Sequence, residues 1–145
     1  MHSSALESWP RSVLHLLAVC IGASGGCARS ELGWQVAPSL IRSDRSTMRA
    51  VHVPDTMTAG VADTVIIWTK SGGCTRRGPT DIVSSGPLVT IRLFDSVLVR
   101  QPDDYACPAV LRFARRVVAI RFSQPGASLV RVVGTDTTES HVLVR

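Results

Sequence analysis

The sequence predicts an all-β fold, an antiparallel β-sandwich of about seven strands. Three observations support this fold class. Short β-branched runs alternate between apolar and polar residues, which is typical of strands with one buried face. Gly, Pro, Asp and Ser separate these runs and are the usual turn residues. No long segment has the 3.6-residue period of an amphipathic helix.

The strand candidates follow one another after residue 47, and Pro54, Asp95-Ser96 and Gln124-Pro125-Gly126 supply breaks or turns between them. Residues 109–116 are compatible with a short helical turn, since Leu111 and Arg115 are four positions apart. The predicted strands are residues 48–53, 61–70, 80–84 (weaker), 88–94 with a continuation at 97–100, 115–123, 127–133 and 141–145.

Composition indicates one ordered domain with no obvious nucleic-acid partner. The chain has 145 residues, of which 45% are hydrophobic and 19% charged, so wholesale disorder is excluded. Its net charge of +5 comes from fifteen arginines and a single lysine, Lys70. The arginines are scattered, as a GC-rich gene would produce. Aromatic residues are too few to interleave with them as stacking platforms. An anionic surface or acidic polysaccharide remains compatible with this charge.

The N-terminal segment has the layout of an export signal. Arg11 precedes an apolar run at residues 13–23, and small residues follow. The run is shorter than the ~20 residues that a membrane-spanning helix needs. Glu7 and His15 depart from the pattern, and a buried N-terminal helix is the alternative. We therefore expect residues 1–26 to be a signal peptide.

The end of this segment, Ser24-Gly25-Gly26-Cys27, resembles the lipobox of bacterial lipoproteins, in which small residues precede a cysteine that is diacylated and becomes the mature N-terminus. Ser24 stands where an aliphatic residue is usual. The resemblance implies lipidation of Cys27, and Ala28 after it implies the outer membrane of a Gram-negative cell. Cleavage near Ala23 or Ala28, giving a soluble secreted or periplasmic protein, is the alternative. Residues 27–46 would form a tether or N-terminal arm, and residues 47–145 the sandwich.

The closing stretch FSQPGASLVRVVG resembles bacterial immunoglobulin-like domains, in which an aromatic residue and a Gly turn lead into a strand of alternating valines. This resemblance covers residues 48–145. It implies an immunoglobulin-like sandwich and no particular reaction.

Two cysteines, Cys74 and Cys107, remain in the body of the exported chain. An exported protein enters a compartment that permits disulfides, and an even pair in one domain favours a bridge. The loop of about 34 residues would contribute roughly 3–4 kcal/mol by the chain-entropy model. A metal site or a free thiol is less well supported, because His52 and His141 are isolated in sequence and zinc needs about four N/S ligands.

No catalytic motif, metal site or cofactor site is found in the sequence. The acidic residues Asp95, Asp103 and Asp104 are interpreted as surface-loop residues rather than a calcium site. His52 and His141 are expected to be half-exposed strand residues. Trp68 is expected to belong to the core.

We therefore predict a non-enzymatic envelope lipoprotein that acts as a structural or interaction module. Its partners would be the membrane, through the lipid anchor, and an envelope protein or an anionic polysaccharide. The candidate interaction residues lie in the loops next to the expected disulfide: Arg76, Arg77, Asp103, Asp104 and Tyr105. The alternatives are a soluble ligand-binding or inhibitor-like domain and a small hydrolase.

Overall fold

Two β-sheets enclose the hydrophobic core in a computed structural model that describes residues 33–43, 49–100 and 106–145. Within these residues the chain forms ten strands and no helix, so the predicted all-β sandwich is confirmed. The strands are β1 (Gly33–Pro38), β2 (Leu40–Ile41), β3 (Val51–His52), β4 (Thr56–Met57), β5 (Ala62–Ser71), β6 (Thr75–Ser85), β7 (Leu88–Arg100), β8 (Arg112–Arg121), β9 (Gly126–Val133) and β10 (Thr137–Val144).

The larger sheet has six strands and is organised around β7. Along one edge β7 pairs with β6 in antiparallel orientation. The other edge is shared by β9, parallel to the first part of β7, and β1, antiparallel to its last part. Strand β10 continues the sheet beside β9, and the short β4 runs parallel to it. These two parallel pairings correct the prediction of purely antiparallel sheets. β7 and β9 run the same way because β8, which separates them in sequence, returns in the other sheet.

The smaller sheet has four strands centred on β5. Strand β8 pairs with β5 over all ten residues, from Ala62 opposite Arg121 to Ser71 opposite Arg112. The other edge of β5 is shared by β2 and β3. Residues at odd positions of β5, such as Val65 and Ile67, are buried between the sheets, whereas even positions face outward.

The core is built from aliphatic residues of both sheets, as the period-two pattern requires. Val89, Ile91 and Leu93 of β7 are at most 1% exposed, as are Val65 and Ile67 of β5. The remaining buried members are Ile41, Val51, Met57, Val118, Ile120, Phe122, Val130, Val132, Val142 and Val144. Both sheets therefore bury one face in a common core.

Residues 33–41 of the expected tether or N-terminal arm belong to the sandwich. Strand β1 pairs with β7 in the larger sheet, and β2 pairs with β5 in the smaller sheet. Ser39, between them, is fully buried where the chain crosses from one sheet to the other. The sandwich thus begins by Gly33 rather than at residue 47. The expected signal peptide, Cys27 and Ala28 lie outside the described residues.

Two further local predictions are corrected. Residues 75–79 form part of the long strand β6 rather than a loop, because Thr75 to Arg77 pair with the extension of β7 beyond Phe94 and an irregularity links them to Thr80. The helical turn suggested for residues 109–116 is absent, and β8 begins at Arg112. The continuation of the strand at 88–94 through residues 97–100 is confirmed, since β7 runs unbroken.

Candidate functional site

A buried ion pair joins the two sheets at one end of the sandwich. Arg116 of β8 is 1% exposed, and its Nη2 donates to the carboxylate of Asp95 on β7. The same nitrogen donates to Ser39 Oγ at 3.0 Å and to the Phe94 carbonyl at 3.0 Å. Asp95 was interpreted as part of an acidic surface loop, and this is wrong. Its carboxylate is the counterion of a buried arginine.

Burial lowers the pKa of Arg116, and the Arg77 guanidinium lowers it further, whereas the Asp95 carboxylate raises it. Arginine stays protonated in proteins, so the result is a charged pair in the interior. Among the described residues, Nε and Nη1 of Arg116 have no hydrogen-bond partner. A buried pair of this kind makes the structure depend on both partners being present.

The predicted disulfide between Cys74 and Cys107 is present, with a Cα–Cα distance of 5.3 Å. Cys74 lies between β5 and β6, and its carbonyl accepts a hydrogen bond from Leu98 N at 3.0 Å. The bridge therefore fastens the segment before β8 to the β5–β6 connection. This part of the sequence interpretation was correct because an even pair of cysteines leaves a single intramolecular pairing.

The predicted interaction residues do not form a loop cluster in the described part of the chain. Arg76 and Arg77 are exposed residues of β6, not of a loop. The Arg76 guanidinium lies over the Trp34 ring of β1, 4.0 Å from its centroid, so it is held by a cation–π contact. Arg77 lies opposite Asp95 in the β6–β7 pairing. Asp103, Asp104 and Tyr105 lie outside the described residues.

His52 and His141, which look isolated in sequence, line a common cleft. The cleft has a volume of about 490 Å³ and lies where β3 of one sheet meets the edge of β10 of the other. Asp55, Glu139 and Arg49 also line it. The sequence holds no signal for this proximity, because it depends on how two strands distant in sequence are placed.

The outer face of the four-stranded sheet carries apolar and basic side chains and no carboxylate. The strand pairings place twelve side chains on it, and we call this surface the basic face: Leu40, His52, Ala62, Thr64, Ile66, Trp68, Lys70, Phe113, Arg115, Val117, Ala119 and Arg121. None of the twelve is a carboxylate, and none is fully buried. Val117 is 51% exposed. Solvent-facing sheet surfaces are ordinarily polar, so the apolar side chains on this face depart from the usual pattern.

Trp68 occupies the middle of the basic face, which corrects the expectation that it belongs to the core. Its neighbours in sequence, Ile67 and Thr69, are buried, so the pleat turns Trp68 outward. It is half-buried and lies directly opposite Arg115 on β8. A shallow depression of about 380 Å³ is lined by both residues together with Arg49, His52 and Ile66.

On the outer face of the six-stranded sheet, by contrast, carboxylates lie beside the arginines. Arg131 Nε donates to Glu139 Oε1 at 2.7 Å, and Arg92 lies opposite Asp81. The two outer faces therefore differ, because the cations of the basic face have no carboxylate beside them within the sheet.

Within the described ranges, no group of three or more His, Cys, Asp or Glu side chains lies close enough to hold a metal ion. The same residues contain no helix long and apolar enough to cross a membrane. Comparisons with models of protein families, with curated protein sequences and with solved structures found no match.

Proposed function

We propose that the protein is an exported, lipid-anchored interaction module without enzymatic activity, and that the basic face is its contact surface. The observation that carries this proposal is the absence of any carboxylate from a twelve-residue face that displays Trp68, Ile66 and Val117 beside arginines. Contiguous exposed apolar surface marks interaction sites on soluble domains. Tryptophan and arginine are also the residues most enriched at binding hot spots.

Two features support export and anchoring. The lipobox-like residues before Cys27 favour lipidation of that cysteine, and the Cys74–Cys107 disulfide is compatible with an oxidising compartment. Strand β1 begins at Gly33, six positions after Cys27. An extended chain covers at most about 3.6 Å per residue, so an anchor on Cys27 would hold the sandwich within roughly 20 Å of the bilayer. The partner would then be a component of the envelope near the membrane surface.

Intact-mass measurement tests the anchor. The full chain is produced in a Gram-negative host, and the membrane fraction is compared with that of the Cys27→Ser variant. We expect a diacylglycerol-sized mass increment on the wild type and its loss, with release to the soluble fraction, in the variant. A soluble wild-type protein without the increment would support instead the secreted ligand-binding or inhibitor-like domain.

A small hydrolase is the second candidate, and the cleft shared by His52 and His141 favours it. Asp55, Glu139 and Ser140 also line this cleft, so a base, carboxylates and a hydroxyl occur together. Turnover of an activated ester by the wild type, lost in both His52→Gln and His141→Gln, would establish this alternative. Equal slow turnover by all three proteins would remove it.

A further inference from the structure

We propose that the basic face binds an acidic polysaccharide, with Trp68 as the platform for a sugar ring and with Arg115 and Arg49 pairing with carboxylates of the chain. The proposal rests on the proposed function, which identifies the basic face as the contact surface. It requires three things of the surface: an aromatic ring on a rigid strand, cations beside the ring on a sheet face without carboxylates, and an open depression.

The backbone holds Trp68 in place on both sides. Trp68 N donates to the Ala50 carbonyl at 2.7 Å, and Arg42 N donates to the Trp68 carbonyl at 3.0 Å. Strand β8 pairs with the opposite edge of β5 along its full length. The ring is therefore presented by a rigid element, which limits the entropy lost when a ligand is bound. The electron-rich face of an indole attracts the weakly positive C–H groups on the face of a sugar ring.

The cations surround this ring rather than standing apart from it. Arg115 lies directly across from Trp68, and Lys70 lies one pleat further along β5. Arg49 and His52 line the same depression, and they also line the neighbouring cleft that holds Asp55 and Glu139, so Arg115 and Lys70 are the cations farther from carboxylates. The guanidinium fork of arginine matches a carboxylate in a bidentate geometry. Because the basic face holds no carboxylate of its own, an acidic chain would meet no competing anion within the sheet.

The depression is open to solvent and does not enclose a small molecule. Its volume of about 380 Å³ lies at the low end of ordinary ligand sites. The row from Trp68 continues to Phe113, which lies opposite Lys70, so a second ring and a second cation follow along the sheet. An extended chain with a charge on every sugar fits this repetition.

A bilayer is a poorer occupant than a polysaccharide. Arg115 lies opposite Trp68 and between Val117 and Phe113 on the outward side of β8, so inserting these residues into hydrocarbon would also bury a charge. A surface that inserts into lipid carries its cations at the rim. On the basic face the cations and the apolar groups interleave. This arrangement suits a polymer in which every sugar carries a carboxylate and also presents the apolar C–H face of its ring.

Binding can be measured with the full chain carrying Cys27→Ser, which is unlipidated and keeps the sandwich complete. Polygalacturonate, a uronic acid polymer, is titrated by calorimetry, and neutral dextran serves as the control polymer. We expect binding to polygalacturonate alone, weakened by added salt because charges are screened. Trp68→Ala and Arg115→Gln should each weaken binding at least about tenfold. Arg92→Gln, an exposed arginine of the other sheet, should leave the affinity unchanged.

Folding of each variant is checked by thermal unfolding, and Trp68→Tyr provides a second test because it keeps an aromatic ring. Partial restoration of affinity by tyrosine supports stacking. Equal binding by wild type and Arg115→Gln, or by wild type and Trp68→Ala, would overturn the assignment of the face. Preference for vesicles containing anionic phospholipid, or for a single-stranded oligonucleotide, would overturn the class of ligand. A lipidated Cys27 without polysaccharide binding would remove this inference and leave the anchor standing.

Discussion

Arg116 of β8 and Asp95 of β7 form an ion pair in the interior of the sandwich, where their side chains are only 1% and 8% exposed. The pair connects the two sheets at the point where Ser39 carries the chain from one sheet to the other. Specific polar contacts therefore reinforce the non-directional packing of the aliphatic core.

Removing either member of this pair should lower the free energy of unfolding, and removing Asp95 should lower it more than removing Arg116. Asp95→Ala leaves Arg116 charged, buried and near Arg77, so we expect a loss of about 3–5 kcal/mol in the free energy of unfolding. Arg116→Met should cost less, because Arg77 still faces Asp95. Urea unfolding measures both effects. The double variant should be less destabilised than the sum of the two single variants, and strict additivity would contradict the coupling.

The exposed pair of Arg131 and Glu139 is the matched control for that experiment. Its side chains are 40% and 47% exposed, although the 2.7 Å contact is well formed. Solvent screens such pairs, so Glu139→Ala should change stability by at most about 1 kcal/mol. A loss comparable to that of Asp95→Ala would mean that burial is not what makes the interior pair important.

The disulfide should supply a large part of the stability of the domain. Replacing Cys74 and Cys107 by serine opens a loop with a sequence separation of 33, and we expect a loss of roughly 3–4 kcal/mol. Urea midpoints of the oxidised and doubly substituted proteins give the difference. Alkylation of both thiols in the unreduced, folded wild type would show that the bridge does not form in solution.

The two glycines before Cys74 should respond differently to alanine. A Cβ on Gly73 would lie 2.2 Å from the Pro108 carbonyl oxygen, whereas a Cβ on Gly72 would meet nothing within 4 Å. We expect Gly73→Ala to lose about 1–3 kcal/mol, as overpacked sites do, and Gly72→Ala to be close to neutral. Thermal unfolding of both variants decides this. Equal melting temperatures would mean that the segment after Cys107 does not pack against this connection.

The start of the folded domain can be located by deletion. A chain beginning at residue 33 retains β1 and β2. A chain beginning at residue 47 loses Ile41 from the core and Ser39 as a partner of Arg116. We expect the first to unfold cooperatively and the second to be largely unfolded, as judged by circular dichroism. A cooperative transition at the same urea midpoint in the shorter chain would restore the boundary expected from sequence.

Arg116 and Trp68 show why some residues could not be placed from sequence. Arg116 is in phase with the buried Val118 and Ile120 on β8, but arginine is rarely buried without a partner, and the partner lies on another strand. Trp68 sits in a run whose two faces are both apolar, so the alternation does not reveal which face turns inward. The cleft of His52 and His141 and the composition of the basic face likewise follow from strand pairings.

The sequence by itself determined the local conformation of this protein. Period-two runs of β-branched residues favour strands, turn residues separate them, and two cysteines in the body of the chain suffice to indicate the bridge between Cys74 and Cys107. Only the tertiary structure decided that residues 33–41 belong to both sheets, that Asp95 neutralises Arg116 and that Trp68 faces outward among cations. The physical reason is that alternation is a property of each strand alone, whereas register and the choice of buried face are set by packing between strands distant in sequence.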